Sequence, residues 1–111
     1  MKKYVYPIIV FEAAESNSYT VLFPDLDIVA SGDTVEEAYL RAEDYLKTYL
    51  EFVEKMQSKI SEATSFVDTQ KLNPKRVVLL ADAETKGEYV LTEDEERYKN
   101  FVSKYIVSSE E

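Results

Sequence analysis

The side chains with chemistry to offer in this 111-residue chain are carboxylates: 22 Asp and Glu against 13 Lys and Arg, with no histidine and no cysteine. Converging carboxylates can hold a divalent metal that activates water and stabilises a leaving oxygen. Glu12 near the end of a first strand, Glu37 in the first turn of a helix and Asp82 at the end of a last strand are the candidates for such a site. Each also has a plain structural use: Glu12 leads into a turn, Glu37 completes a helix cap and Asp82 ends a strand. In a chain with 22 acids such placements arise readily by chance. The missing residue types exclude more than the acids suggest. Without His or Cys there is no Ser-His-Asp or Cys-His nucleophile, no ordinary zinc site and no imidazole base near neutral pH. No cofactor, no metal and no catalytic residue is expected.

The net charge of −9 opposes binding to a phosphate backbone, which depends on Lys and Arg displacing counterions. An acidic surface suits a basic protein partner instead, because complementary fields speed encounter and disfavour wrong partners. It also keeps a protein soluble with no partner at all. Nine tyrosines would serve base stacking only beside a positive groove. The "NPKR" cluster at 73–76 is too small for one, so the tyrosines read as core. No apolar run approaches the ~20 residues needed to cross a bilayer, and "MKKYVYPIIVF" lacks a cleavage site. A cytoplasmic protein is expected, with neither membrane nor nucleic acid as partner.

These residues need elements to position them, and a chain of this length supports one core. Residues 4–13, "YVYPIIVFEA", are β-branched and aromatic and read as a strand, with Pro7 at an edge or a bulge because it lacks an N–H. "AESNS" turns the chain, Asn17 taking a left-handed conformation, and "YTVLF" returns as a second strand. Pro24 ends that strand and Asp25 is free to bind nearby backbone amides. "DIVAS" gives a third strand and Gly32 a sharp bend. Thr34 and Glu37 form a capping box, with Asp33, Glu36 and Glu37 at the positive end of the helix dipole.

From Val35 to Ile60 apolar residues recur with helical rhythm, including Tyr39, Tyr45 and Tyr49, and the other side carries Glu36, Glu43, Asp44, Glu54 and Lys55 among others. Leu40 and Phe52 fall off the stripe. "SEATSFVDTQKLNP" is polar and reads as a loop, and "KRVVLLADA" as a strand buried on both faces. Thr92 and Glu95 open a last helix, with Tyr98, Phe101, Val102, Tyr105 and Ile106 as its stripe. The expected class is α+β: a three-stranded antiparallel meander, a fourth strand after a crossover helix (β-β-β-α-β), and an extra C-terminal helix. Residues 1–83 form the domain, and 84–111 an acidic helical extension that packs on it or on a partner subunit.

Two motifs in order, "FPDLD" closing the second strand and "SGDTVEEA" opening the helix, resemble the HicB-like antitoxin family. The positions are Tyr19, Phe23, Pro24, Asp25, Leu26, Gly32, Asp33, Thr34, Glu37 and Ala38, and the resemblance spans about residues 4–83. It implies a degenerate, partial RNase H-like fold with a helix on one face of the sheet. It also implies a neutralising partner of a small basic RNA-cleaving toxin, HicA, with oligomerisation. Asp27-Ile28-Val29 stands where members often have a Pro-Gly-Cys-like turn, the loop before the last strand is long, and an acidic "TEDEER" tail stands where many members carry a DNA-binding module. On this reading the contact region is Pro24, Asp25, Leu26 and Asp27, the exposed edge near Pro7, and Asp33 and Glu36. Two other readings stay open. One is an orphan homo-oligomeric scaffold; the other is a metal-dependent RNase H-like nuclease using Glu12, Glu37 and Asp82.

Overall fold

In the computed structural model, which describes residues 1–13 and 17–105, a run of β-branched and aromatic residues extends as β1, Lys2–Ala13. Of the turn expected at "AESNS", residues 14–16 lie outside the described residues. Asn17 is left-handed as expected, at φ 52°. β2, Ser18–Phe23, pairs antiparallel with β1, and β3, Ile28–Gly32, pairs antiparallel with β2. The helix α1, Val35–Lys55, then crosses the sheet to α2, Phe66–Leu72, and β4, Val77–Thr85, which lies antiparallel on the far side of β1. The strand order is β3-β2-β1-β4. A last helix, α3, spans Glu93–Tyr105. The α+β class and the order of strands and crossover helix are those expected. No helix among the described residues is long and apolar enough to cross a membrane.

The core forms where the period-2 face of the sheet meets the period-3.6 stripe of α1. Tyr6, Ile8 and Val10 of β1, Val21 and Phe23 of β2, Ala30 of β3 and Ala81 of β4 pack against Ala38, Ala42, Leu46 and Leu50. The opposite face is not bare: Pro7, Ile9 and Val78 point away from α1 yet are buried. α2 packs against β4, with Phe66 and Val67 beside Val78.

Pro7 sits in a strand flanked on both sides, yet its missing N–H costs nothing. It faces Leu80 in the β1–β4 register, and Leu80 turns its C=O outward to the Tyr39 hydroxyl at 2.8 Å. The two residues therefore form a pair whose backbone groups point away from each other. On that side β1 pairs with β2 only from Ile9 onward. The ladder gap expected at Pro7 is present, but the exposed edge is not, because its ring is fully buried.

Four further expectations are corrected. The polar "SEATSFVDTQKLNP" contains α2, whose Ser65 caps the Asp68 amide at 3.1 Å; seven residues are too few to show a periodic stripe. α1 stops at Lys55 rather than Ile60: Gln57 turns left-handed at φ 58°, and Ser58 N–H donates to Val53 C=O and Gln57 N–H to Glu54 C=O, the paired bonds of a Schellman stop. β4 is an outer strand and leaves Val77, Leu79 and Leu80 exposed instead of burying both faces. Tyr45, expected in the stripe, is half exposed, since the sheet beneath α1 is narrower than the apolar sector of the helix.

α3 lies against the outer side of α1 through a Phe52–Tyr98 ring contact at 6.3 Å and a Lys55–Glu95 ion pair at 3.0 Å. The molecule is correspondingly elongated: its radius of gyration is 16.0 Å, against roughly 13 Å for a sphere-like domain of this length. Tyr98 and Phe101 remain half exposed. Ile106 and the side chains of Val102 and Tyr105 lie outside the described residues.

Candidate partner-binding surface

The six candidate contact residues fall into two groups separated by β3. Pro24 to Asp27 form the β2–β3 turn, closed by bonds from the Leu26 and Asp27 amides to Phe23 C=O at 3.2 and 3.1 Å. Asp27 takes φ 57°, a conformation Asp tolerates better than most residues. Asp33 and Glu36 sit at the other end of the five-residue β3, about 16 Å away along the strand. The turn and the helix start thus present two surfaces.

Within the turn, Pro24 and Asp27 are exposed while the other two residues face inward. Leu26 belongs to the core at 8% exposure. Asp25 accepts from the Thr64 amide at 3.0 Å and the Thr64 hydroxyl at 2.7 Å. The amide it binds is therefore 39 residues away, and the bond ties the turn to the segment leading into α2. At the helix start Glu37 N–H donates to the hydroxyl of the N-cap Thr34, and the Glu37 carboxylate reaches one residue past the usual capping-box partner to accept from Asp33 N–H at Oε1. Asp33 and Glu36 keep their carboxylates in solvent. One turn on, Leu40 is exposed at 55%, and Glu36, Leu40 and Asp44 follow one another at i, i+4 spacing along an exposed ridge of α1.

The alternative metal triad does not assemble. Asp82 faces Val5 across the β1–β4 ladder, and Glu12 lies seven residues further along β1, roughly 23 Å away. Metal ligands stand within about 2.6 Å of their ion. Both Glu37 oxygens are engaged, one by the Asp33 amide and one by Arg41 at 3.4 Å. Among the described residues no group of three acids or other ligand-type side chains could hold a metal ion.

A polar cluster that periodicity does not reveal centres on Glu54, which the helical pattern puts on the solvent side. Its carboxylate accepts from the hydroxyls of Tyr4 at 2.5 Å, Tyr89 at 2.6 Å and Thr85 at 2.9 Å, joining β1, α1, the end of β4 and the chain leading to α3. Burial pushes the carboxyl up, but the bonds from Tyr4, Tyr89 and Thr85 and the charge of Lys2 outweigh it, so it lies below its ordinary 4.5. Burial first, then the bond to Glu54, raises both tyrosine hydroxyls. The cluster ties together segments far apart in sequence and so acts as a clasp.

Because the folded-state value is depressed, the stabilisation from Glu54 is present above about pH 4.5 and lost as pH falls through the folded value. Glu54→Gln should cost about 1–3 kcal/mol near neutrality, where buried hydroxyls lose a charged acceptor. Urea midpoints read from pH 7 downward should fall less steeply below pH 4.5 for the variant than for the parent. Parallel slopes would show that another carboxylate, such as Glu95, carries the acid loss.

Comparison with known proteins bears on the whole arrangement. Residues 5–81 match the family described as HicB-like antitoxin of bacterial toxin-antitoxin system. No curated protein sequence matches the chain. Among solved structures it is similar to the N-terminal domain of the Burkholderia pseudomallei antitoxin HicB, with a TM-score of 0.63 and 19% identity over 73% of this chain and 99% of that one. It is also similar to the Burkholderia pseudomallei antitoxin HicB, at 0.60 and 15% over 89% and 82%. A chain of a toxin-antitoxin complex from Streptococcus pneumoniae scores 0.62 at 13% identity over 92% and 88%. At these identities the likenesses concern the fold.

Proposed function

This chain belongs to the HicB-like antitoxin family of bacterial toxin-antitoxin systems, and from that premise we propose that it binds and neutralises a small basic RNA-cleaving toxin of the HicA kind in the cytoplasm, by protein–protein contact and without catalysis of its own. The family match carries the reading. Supporting it are the −9 net charge, the absence of His and Cys, and an exposed acidic ridge with an apolar centre. Asp33, Glu36 and Asp44 supply the field that draws in a basic partner, and Leu40 supplies an apolar anchor. Pro24 and Asp27 offer a second point of contact at the far end of β3.

The partner sought is the short basic product of the adjacent reading frame. Co-expression should relieve its toxicity and the two should co-purify. Glu36→Lys with Asp44→Lys should weaken association by roughly tenfold or more, chiefly through the on-rate and its salt dependence, with the helical circular dichroism unchanged. Full binding by the reversed variant would move the contact away from α1; a parent that ignores the neighbouring product would end the antitoxin reading.

The half-exposed Tyr98 and Phe101 favour a homo-oligomer as part of the same proposal, since a second copy would cover them. Sedimentation of the purified chain should show an assembly that Tyr98→Ser with Phe101→Ser dissociates. A parent that is monomeric at high concentration would remove this element.

A further inference from the structure

A cluster of positive charge in this acidic chain lies between α2 and the start of β4. No acid occurs between Asp68 and Asp82, and Lys71, Lys75 and Arg76 cluster inside that stretch. Among the described residues none of the three makes a salt bridge, although acids outnumber bases 22 to 13. The Arg76 guanidinium stacks on the Phe11 ring at 4.4 Å.

Lys71 and Arg76 rim an open groove of about 710 Å³ between α2 and the start of β4, whose apolar wall is Phe66, Val67 and Val77. The three are 42%, 58% and 57% exposed. A second groove of about 480 Å³ continues from it past Lys75, Arg76 and Val77 toward Phe11, Tyr19 and Val35 at the start of α1, with Glu12 as its carboxylate. The walls are held in place: the Gln70 amide donates to Asn73 C=O at 3.0 Å and Arg76 C=O at 3.1 Å, and the Asn73 amide donates to Thr69 C=O at 2.9 Å. A pinned groove keeps its shape before a ligand arrives, which lowers the ordering cost of binding.

We propose that this groove is a docking site for an extended acidic segment of a partner protein, with aliphatic side chains against Phe66, Val67 and Val77 and carboxylates on Lys71, Lys75 and Arg76. Charge complementarity selects the occupant. A basic toxin meets the wrong sign here, so the proposal does not depend on that reading. A nucleic acid is disfavoured because three cations must offset a net charge of −9, whereas a short peptide brings few charges and uses the apolar wall. Further along the edge of β4, Tyr39 and Glu43 bond the outward backbone groups of Leu80 and Asp82 and close that stretch to strand addition.

The test is fluorescence anisotropy with the full chain and a labelled extended peptide alternating valine or leucine with glutamate. Binding should weaken severalfold between 50 and 200 mM salt, as screening requires, and by roughly tenfold in Lys71→Glu with Lys75→Glu, two exposed residues outside the core. Arg76→Gln is a second variant, checked for folding by circular dichroism because of its Phe11 contact. Equal binding of the lysine-for-glutamate peptide, unchanged binding by the double variant, or tighter binding of a single-stranded oligonucleotide of equal charge would each overturn the proposal. So would a concentration-dependent dimer that the double variant abolishes while the peptide does not bind.

Discussion

Phe23→Ala should lower stability by about 3–5 kcal/mol, the usual cost of removing a fully buried aromatic side chain. Phe23 is 0% exposed and packs in the cluster formed by the sheet and α1. In the same cluster Ala30, Ala38 and Ala42 are short side chains fixed to their elements, and Leu46 and Leu50 are themselves fully buried. Set against a total of about 5–15 kcal/mol for a small domain, the loss leaves little reserve. Midpoints of urea unfolding read the effect directly, with an unchanged slope showing that the surface exposed on unfolding is the same. Val29→Ala is the control, because Val29 is 56% exposed on the outer strand β3 and should move stability by no more than about 0.5 kcal/mol. Equal shifts in the two variants would mean that the FPDL motif does not seal the core. The backbone carbonyl of residue 23, which closes the next turn, is kept in the alanine variant, so the loss is one of side-chain packing.

What the sequence makes legible here is what depends on neighbours within four residues. Thr34 and Glu37, or Thr92 and Glu95, announce a capping box by spacing alone; the second box forms, and at the first Thr34 caps the helix while Glu37 reaches back to the Asp33 amide. Asn17 and Pro24 act through their own backbone preferences: Asn17 is left-handed and β2 ends at Phe23, just before Pro24. The long-range features were hidden for a physical reason: nothing in a helix pattern says what approaches its outer face. Glu54 looks like one more solvent-side acid until Tyr4, Thr85 and Tyr89 arrive from three other segments. Asp25 looks like a turn residue satisfied locally, yet its partner Thr64 is brought in by the segment that follows α1. The apolar run of β4 could not reveal that its strand is an outer one, since a buried strand and a hydrophobic edge are spelled alike. Of the candidate contact residues, Pro24, Asp27, Asp33 and Glu36 are on the surface. Leu26 and Asp25 owe their place in the motif to the fold, which explains why a motif is a poor guide to the interface.

Gly32→Ala should be the most damaging single-methyl change in the chain. A Cβ at Gly32 would stand 2.6 Å from the Ala38 nitrogen and 3.0 Å from both the carbonyl carbon and Cβ of Glu37. Two of these are backbone atoms of the first turn of α1, which cannot swing aside as a side-chain tip would. Accommodating the methyl means moving the helix off β3, at a cost toward or beyond the upper end of the ~1–3 kcal/mol typical of overpacking. Gly87→Ala separates this from conformational strain: Gly87 has φ +83° with nothing within 4 Å of an added Cβ, so its cost is that of a left-handed backbone alone, roughly 1–2 kcal/mol. The thermal midpoint should therefore drop further for Gly32→Ala than for Gly87→Ala. The displaced helix start carries Asp33 and Glu36 with it, so the same variant should lose affinity for a basic partner even at temperatures where it remains folded. A Gly32→Ala protein as stable as Gly87→Ala would mean that the sheet and helix do not meet as closely as the Gly-Asp-Thr sequence requires. The acidic ridge would then be positioned by something other than this contact.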